Sequence, residues 1–252
     1  MTTGTSPDAW VSRTFSGAAR IRLFCFPYAG GSAQIFRGWQ DELPDEIEVS
    51  PVHLPGRGRR SLEKPFSELL PLAEVLADAL LSHLDRPYAL FGHSTGAVIA
   101  FELTRVLRRK GGPLPLYLFV SGCRAPQLTF TRRRTHELSG AELIRELRRL
   151  NGTPETILES PEMLQFLLPT IRSDLQMVQV YSYVAEPPLS CPISAFGGLQ
   201  DFDETPEMLS AWREQTTASF HFQMFAGNHF FLQSEQSDLL QAISQQLRNV
   251  MH

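Results

Sequence analysis

Apolar runs of strand length alternate along the chain with stretches in which apolar residues recur at helical spacing. The helical pattern is clearest at 67–84, where leucine and alanine return every three or four residues. Other helical stretches are expected at 34–43, 97–110, 206–213 and 237–250. The predicted strands lie at 20–26, 46–52, 88–91, 116–120, 191–196 and 218–225. Strands that alternate with helices of ordinary length predict an α/β fold, with a mostly parallel central sheet flanked by helices on both faces.

The alternation of strand and helix stops between about 124 and 186. Two helical stretches, at 141–150 and 161–183, occur there without a strand between them. An all-helical insertion of this length between sheet elements predicts a lid over the functional site. Its apolar residues either line an acyl pocket or only pack the helices together, and their spacing leaves both possibilities open. These residues include Phe166, Leu167, Leu168, Met177 and Val178.

Length and composition fit one enzyme-sized domain. The 252 residues are expected to form a single domain, 1–252, in which 42% of residues are hydrophobic and 20% are charged. The net charge of −4 gives no reason to expect nucleic acid as a partner. The longest apolar stretch, 113–120, is far shorter than the roughly 20 residues that span a bilayer. No contact with a membrane is therefore expected.

The cysteines and the first residues of the chain indicate the compartment. Cys25, Cys123 and Cys191 are scattered among apolar runs, a pattern that predicts reduced core residues rather than disulfides or a metal site. The first residues lack the basic start and the apolar run of an export signal. A cytoplasmic protein is therefore expected.

One turn carries the strongest chemical signal. The segment 92–96, Gly-His-Ser-Thr-Gly, lies between the apolar run 88–91 and a helix that begins with small residues. A Gly-x-Ser-x-Gly in this setting is a nucleophile elbow, a turn so sharp that the serine backbone is strained and its hydroxyl stands exposed at the end of a sheet. The N–H groups that open the following helix would face negative charge on a substrate oxygen. The elbow therefore predicts a hydrolase of acyl groups with Ser94 as its nucleophile.

A second glycine-rich loop, 27–32, follows the predicted strand at 20–26. The pair Gly30-Gly31 marks either an ordinary strand-to-helix turn or a place where the backbone approaches a substrate closely. In the second case the loop supplies an N–H group to an oxyanion hole. Tyr28 or Ala29 would be the donor, and Ala29 is favoured.

A serine nucleophile needs a base to take its proton, and the base needs an acid to orient it. His229 lies on a glycine-containing loop between the last strand and the last helix, a setting that the other histidines lack. Asp201 follows the predicted strand at 191–196, and Asp203 is its rival on the same loop. The order Ser94, Asp201, His229 is that of α/β-hydrolases and differs from the orders of the trypsin and subtilisin classes.

Taken together, these motifs resemble the type II thioesterases of polyketide and non-ribosomal peptide assembly lines, which belong to the α/β-hydrolase superfamily. The resemblance rests on the segments 26–32, 54–58, 92–97, 197–201 and 227–231 and covers about residues 20–245. It implies an α/β-hydrolase fold and a stand-alone cytosolic editing enzyme that hydrolyses stalled or aberrant acyl groups. The implied partner is an acyl or peptidyl carrier protein whose phosphopantetheine arm holds the acyl group, and no metal or diffusible cofactor is implied.

Carried over position by position, the resemblance implies a nucleophile, an acid, a base and two oxyanion donors. These are Ser94, Asp201, His229 and the backbone N–H groups of Ala29 and Thr95, respectively. Two positions depart from the family pattern. Tyr28 stands where a histidine is common, and Thr95 stands where methionine or another bulky residue is common. Because Thr95 would act through its backbone, its side chain is expected to alter acyl preference and not the chemistry.

Arginines in two clusters are candidates for docking an acidic carrier domain, although exposed arginine runs are also common as plain solvated surface. The candidates are Arg57, Arg59, Arg60, Arg132, Arg133 and Arg134. Two other functions remain open. A general carboxylesterase or lipase would use the same three residues on oxygen esters, and a non-catalytic binding protein would use the hydrolase scaffold alone.

Overall fold

The computed structural model describes residues 9–12, 18–128 and 134–251. A sheet of six strands lies at the centre of this part of the chain. The strands are β1 (Ile21–Phe26), β2 (Ile47–Pro51), β3 (Tyr88–His93), β4 (Tyr117–Ser121), β5 (Ile193–Gly198) and β6 (Phe220–Phe225). Their order in the sheet is β2-β1-β3-β4-β5-β6, and every neighbouring pair is parallel. The predicted α/β fold with a parallel sheet is therefore confirmed.

Helices cover both faces of the sheet, so its inner strands are buried on both sides. They are α1 (Trp39–Glu42), α2 (Leu69–Leu80), α3 (Thr95–Arg109), α4 (Gly140–Leu150), α5 (Glu155–Leu158), α6 (Pro161–Gln179), α7 (Pro206–Ser210), α8 (Phe231–Ser234) and α9 (Gln236–Val250). Adjacent residues of β1 show how the two layers form. Phe24 packs in the cluster of α2 and α3, and Leu23 packs in the cluster of α1 and α9. Side chains of a strand alternate between faces, so each inner strand contributes to both layers.

The sheet grows in opposite directions from β1, toward β2 on one side and toward β3 on the other. A crevice forms at the carboxyl ends of strands where the direction changes, and ligands of open α/β sheets bind there. Because the strands are parallel, the loops after β1, β3, β5 and β6 all lie at this edge. These loops carry Ala29, Ser94, Asp201 and His229, respectively.

The helical insertion lies between β4 and β5 and contains α4, α5 and α6. It has a small apolar core of its own, in which Leu143 and Leu147 of α4 pack with Leu164 and Ile171 of α6. A capping box of Ser139 with Glu142 begins α4. The helices expected at 141–150 and 161–183 are thus present, although α6 ends at Gln179. The one-turn helix α5 was not predicted.

Other boundaries differ from the sequence pattern for local reasons. The helix expected at 34–43 is divided into a 3-10 turn at Ala33–Phe36 and the short helix α1. Gly38 separates them because its φ of 84° lies in the left-handed region, which a continuing helix does not use. No helix in the described ranges is long and apolar enough to span a membrane.

Candidate active site

Ser94 lies at the sharp turn between β3 and α3. Its φ of 54° and ψ of −118° are strained for a residue with a side chain. Two glycines make the turn possible. A Cβ on Gly92 would lie 2.1 Å from the carbonyl oxygen of Gly96, and a Cβ on Gly96 would lie 2.2 Å from that of Phe26. The pattern of glycines therefore brings the start of α3 against the end of β1 and leaves Ser94 at the turn between β3 and α3.

The loop after β1 forms a tight turn beside the serine. The Gly31 N–H donates to the Tyr28 carbonyl at 2.9 Å, and Gly30 occupies the third position of this turn with a φ of 74°. The N–H groups of Ala29 and Thr95 have no hydrogen-bond partner among the described residues. Both residues line the same cavity as Ser94. The arrangement provides two free backbone donors beside the serine, as an oxyanion hole requires.

His229 is oriented by Asp201. The distance between His229 Nδ1 and Asp201 Oδ2 is 2.6 Å. The other carboxylate oxygen of Asp201 accepts the backbone N–H groups of Asp203 and Glu204, at 3.0 and 3.3 Å. With Nδ1 donating to the carboxylate, His229 Nε2 is the nitrogen that is left to accept a proton.

Asp203, the rival carboxylate, points elsewhere. Its Oδ2 pairs with Arg149 Nη2 of α4 at 2.5 Å, in an exposed ion pair that also includes Glu146. Together these two carboxylates raise the pKa of Arg149 further above its ordinary value. The structure thus brings Asp201 to His229 and uses Asp203 to hold α4.

His93, inside the elbow, supports the loop that carries His229. Its Nε2 lies 2.8 Å from the His229 carbonyl oxygen, and its Nδ1 lies 2.9 Å from Ser121 Oγ. Burial, followed by the nearby His229, lowers the pKa of His93 well below its ordinary value. A neutral ring must donate through Nε2 to the carbonyl and accept from the serine hydroxyl. Sequence reasoning missed this role, since the contact joins loops that are 136 residues apart.

A cavity of about 140 Å³ opens beside the serine. Ser94, His229, Ala29 and Thr95 all line it. The insertion supplies an apolar wall made of Leu143, Leu147, Leu150, Ile171, Leu175 and Val178. Of the five apolar lid residues considered from the sequence, Val178 lines this cavity, whereas Phe166 is 81% exposed. The sequence pattern missed the α4 leucines because only the packing of α4 over the site gives them this position.

A buried acid also lines the cavity. Glu204 pairs with Arg124 at 3.0 Å, and it lines the same cavity as Ser94 and His229. Burial raises the pKa of Glu204, and this effect exceeds the opposing effect of the Arg124 guanidinium. Glu204 also supplies one of the N–H groups that hold Asp201. Glu204 therefore ties the loop after β5, which carries Asp201, to Arg124 just beyond the end of β4.

The arginine candidates divide sharply by burial. Arg57 is 8% exposed and pairs with Asp174, and Arg60 is 4% exposed, pairs with Glu63 and lies over the ring of Trp10. The expectation that these two arginines dock a partner is therefore wrong, because their guanidinium groups are used inside the fold.

The remaining docking candidates stay predictions. Arg59 is exposed, although its guanidinium donates to the carbonyl oxygens of Ala9 and Val11. Arg134 is exposed and pairs with Glu137. Arg132 and Arg133 lie outside the described residues.

The three cysteines are free and buried, as predicted. Burial raises the pKa of Cys25 and Cys123 well above the ordinary value, and it raises that of Cys191 to about 12. Cys123 lines the cavity, but its thiol stays protonated at neutral pH and is a poor nucleophile. These residues therefore serve packing.

A parallel sheet with a strained serine between strand and helix, followed by an acid and a histidine on later loops of the same edge, defines the α/β-hydrolase fold. Residues 21–247 match the thioesterase domain family, and the chain belongs to that family. The chain is therefore a thioesterase, and its similarity to the solved type II thioesterase BorB confirms the resemblance to that group.

Three relatives illustrate the similarity. A protein named linear gramicidin dehydrogenase LgrE, from Brevibacillus parabrevis, is 45% identical to this chain. The similarity covers 99% of this chain and 96% of the length of LgrE. RedJ, a thioesterase from the prodiginine biosynthetic pathway in Streptomyces coelicolor, is 44% identical with a TM-score of 0.87, covering 97% of this chain and 94% of RedJ. BorB, the type II thioesterase from the borrelidin biosynthetic cluster, is 36% identical with a TM-score of 0.87, covering 99% of this chain and 100% of BorB.

Proposed function

We propose that this thioesterase hydrolyses stalled or aberrant acyl groups from the phosphopantetheine arm of carrier proteins in polyketide or non-ribosomal peptide synthesis. The observation that carries the proposal is the 2.6 Å contact between His229 and Asp201 beside a cavity that also contains Ser94. The pathways named for RedJ and BorB support the substrate class. The buried free cysteines support a reducing compartment, and the cytoplasm is the proposed location.

Acylation begins when His229 Nε2 takes the hydroxyl proton of Ser94. The serine oxygen attacks the thioester carbonyl carbon, and the negative charge moves onto the carbonyl oxygen. The backbone N–H groups of Ala29 and Thr95 stabilise this oxyanion. Asp201 holds the imidazolium that has formed. When the intermediate collapses, the C–S bond breaks and the phosphopantetheine thiol leaves with the proton from His229.

Deacylation repeats these steps with water. His229 takes a proton from a water molecule, whose oxygen attacks the acyl carbon of the ester on Ser94. The same two N–H groups stabilise the second oxyanion. Collapse breaks the bond between the acyl carbon and the serine oxygen, returns the proton to Ser94 and releases the free acid.

The apolar wall of the cavity suits an acyl chain better than a polar substrate. It is built from the insertion and not from the sheet, so acyl preference can change without any change in the catalytic loops. Separate elements for acyl binding and for chemistry fit an editing enzyme, whose substrates share the thioester and differ in the acyl group.

The name of LgrE describes a dehydrogenase, a different class of enzyme. Dehydrogenases that bind a dinucleotide at the edge of an α/β sheet use a Gly-x-Gly-x-x-Gly turn between strand and helix. The sequence contains no such segment. The turn after β3 instead contains the strained serine that acyl transfer needs, so the site favours hydrolysis.

The test compares three substrates that share one acyl chain: a phosphopantetheinyl carrier thioester, an N-acetylcysteamine thioester and a p-nitrophenyl ester. We expect the highest kcat/KM for the carrier thioester and a loss of at least about 10³ in kcat for Ser94→Ala on all three. Ser210→Ala, at an exposed serine of α7, is the matched control and should behave as wild type. Full turnover by Ser94→Ala would exclude the mechanism. A preference for the oxygen ester would favour a general carboxylesterase instead.

A fluorophosphonate probe separates these enzymes from a binding protein. It should label the wild type at Ser94, because the probe reacts only with an activated serine. Absence of labelling in a folded wild-type sample would support a non-catalytic scaffold.

Among the described docking candidates, Arg59 and Arg134 are exposed, and docking of an acidic carrier is proposed for these two. Arg59→Glu and Arg134→Glu should lower kcat/KM for the carrier thioester and leave that for the N-acetylcysteamine thioester unchanged. Arg248→Glu is the matched control, since the end of α9 lies near Arg20 at the amino ends of the strands, away from the site. Equal values for all three variants on the carrier thioester would exclude these arginines from docking.

A further inference from the structure

Asp174, in the middle of the insertion helix α6, reaches into the loop after β1. Its side chain is almost wholly buried, with the residue 1% exposed. Asp174 Oδ2 accepts the Gly30 N–H at 2.8 Å. The same carboxylate receives both terminal nitrogens of Arg57, at 2.5 and 2.7 Å. A carboxylate from the insertion therefore binds the residue next to the proposed oxyanion donor Ala29.

Arg57 holds the other side of this loop. Its Nη1 lies 3.4 Å from the Gly31 carbonyl oxygen, and its Nε donates to the Pro55 carbonyl at 3.2 Å. The Gly30 N–H and the Gly31 carbonyl are thus held by two charged groups that also bind each other. Hydrogen bonds to charged groups are stronger than those between neutral groups, and a bidentate pair fixes direction as well as distance.

The turn at 28–31 needs such a restraint. Turns of this kind differ mainly by a flip of their middle peptide, which here joins Ala29 to Gly30. The bond from Gly30 to Asp174 selects one orientation of that peptide. The Ala29 N–H belongs to the preceding peptide, Tyr28–Ala29, which shares the Ala29 Cα, so fixing the Ala29–Gly30 peptide restrains the direction of this donor through the dihedral angles of Ala29. Ile171 packs against the same point, since a Cβ on Gly30 would lie 2.4 Å from Ile171 Cγ1. Thr170 adds a hydrogen bond of 2.8 Å to the Gly56 carbonyl, so one turn of α6 is attached to both loops.

We propose that Asp174 is a positioning residue for the oxyanion hole: by holding the Gly30 N–H it fixes the Ala29 N–H toward the substrate oxygen. The inference rests on the proposed function, because it requires that Ala29 stabilise an oxyanion. Because Asp174 lies on α6, the oxyanion hole then has its working geometry only when α6 is packed against the loop after β1. A donor that is displaced by a fraction of an ångström loses much of its effect on the transition state.

The competing interpretation is that Arg57 and Asp174 form a structural ion pair with no effect on chemistry. Single substitutions cannot separate these interpretations, because each leaves an unpaired charge in the interior and strongly destabilises the fold. Two double variants can. Arg57→Met with Asp174→Leu removes both charges and the acceptor for Gly30, whereas Arg57→Met with Asp174→Asn removes both charges and keeps an acceptor.

The two double variants are compared by hydrolysis of the p-nitrophenyl ester and by inhibition with a trifluoromethyl ketone of the same acyl chain. Ser94 Oγ adds to the ketone carbon and leaves an oxyanion, while its proton moves to His229. We expect kcat of the Leu variant to fall about 10- to 100-fold, with KM within about twofold, because loss of an oxyanion contact itself costs about 10²–10³. Its Ki for the ketone should rise by a similar factor. The Asn variant should stay within about threefold of wild type in both measurements.

A control pair lies near the start of β1, at the opposite end of this strand from the loop 28–31. Arg22 and Glu48 form a buried ion pair 3.0 Å apart, and Arg22→Met with Glu48→Leu should alter thermal stability without changing Ki for the ketone. Equal ketone affinity in the Leu and Asn variants would overturn the inference. That result differs from failure of the proposed function, which would appear as wild-type protein that turns over neither the ester nor the thioester.

Discussion

Replacing Asp201 by asparagine tests its proposed role as the catalytic acid directly. The two oxygens of this carboxylate have different partners: Oδ1 accepts the N–H groups of Asp203 and Glu204, and Oδ2 lies 2.6 Å from His229 Nδ1. An asparagine satisfies the two backbone donors only with its oxygen. Its NH₂ group must then face His229.

This orientation reverses the tautomer of the base. With an N–H donor opposite it, His229 Nδ1 becomes the acceptor, and Nε2 carries the proton. The ring can then no longer take the proton of Ser94. The corresponding exchange in a serine protease lowers kcat by about 10⁴, which is equivalent to about 5 kcal/mol of transition-state stabilisation. We expect a loss of this order for Asp201→Asn, with a melting temperature close to wild type because the backbone contacts are kept.

Asp203→Asn is the matched control on the same loop. Its carboxylate pairs with Arg149, whose side chain is about half exposed, and exposed ion pairs contribute only about 0–1 kcal/mol to stability. The backbone N–H of Asp203 still binds Asp201, so kcat should stay within about threefold of wild type. Both variants are measured with the p-nitrophenyl ester at saturating concentration, after thermal unfolding confirms that they are folded. The assignment fails if Asp201→Asn keeps more than a tenth of wild-type kcat, or if Asp203→Asn loses 10³.

Two further predictions concern the insertion. Gly152→Ala should change acyl-chain preference more than it changes kcat on the best substrate. A Cβ at Gly152 would lie 1.8 Å from the ring of Phe230 and would force this cavity-lining ring to move. An unchanged dependence of kcat/KM on acyl-chain length would contradict this prediction. Burial raises the pKa of Glu186, but hydrogen bonds from Arg108 and Arg105 outweigh it and lower the pKa to about 2 from an ordinary 4.5. Its contribution to stability is therefore complete above about pH 4.5 and lost as the pH falls toward 2. Glu186→Gln should lower the free energy of unfolding by about 1–3 kcal/mol at pH 7 and by much less at pH 2.5, and an equal loss at both pH values would refute the pairing.

The sequence predicts much of this site because of one topological rule. In a parallel sheet the loops that follow the strands share an edge, so residues far apart in the chain can be assigned to one site once the strands are located. Ser94 and His229 needed only a strand before them and a helix after them. The choice between Asp201 and Asp203 needed the structure, because both carboxylates follow the same strand and only side-chain direction separates them.

The parts that could not be predicted depend on contacts between distant elements. Arg57 lies in a basic loop whose sequence indicates solvated surface, yet it is buried against Asp174, 117 residues later. Nothing in the sequence indicates that Asp174 lies in the interior, because a single carboxylate on a helix with both apolar and polar residues is normally exposed. The break of the expected helix at Gly38 is similar, because a glycine within a helical pattern can continue the helix or end it.

The insertion is attached by charged side chains to the loop after β1 and to the loop after β5, and these two attachments differ greatly in strength. Asp174 of α6 holds the loop after β1 through buried, charged hydrogen bonds, whereas Arg149 of α4 holds the acid loop through an exposed ion pair. The exposed pair is worth about 0–1 kcal/mol and is screened by salt. The buried contacts are lost only if two charges become unpaired in the interior, which costs several times more. The attachment of α4 to the loop after β5 is therefore weaker than that of α6 to the loop after β1. We expect the α4 side of the wall, made of Leu143, Leu147 and Leu150, to yield to a larger acyl chain before the α6 side does.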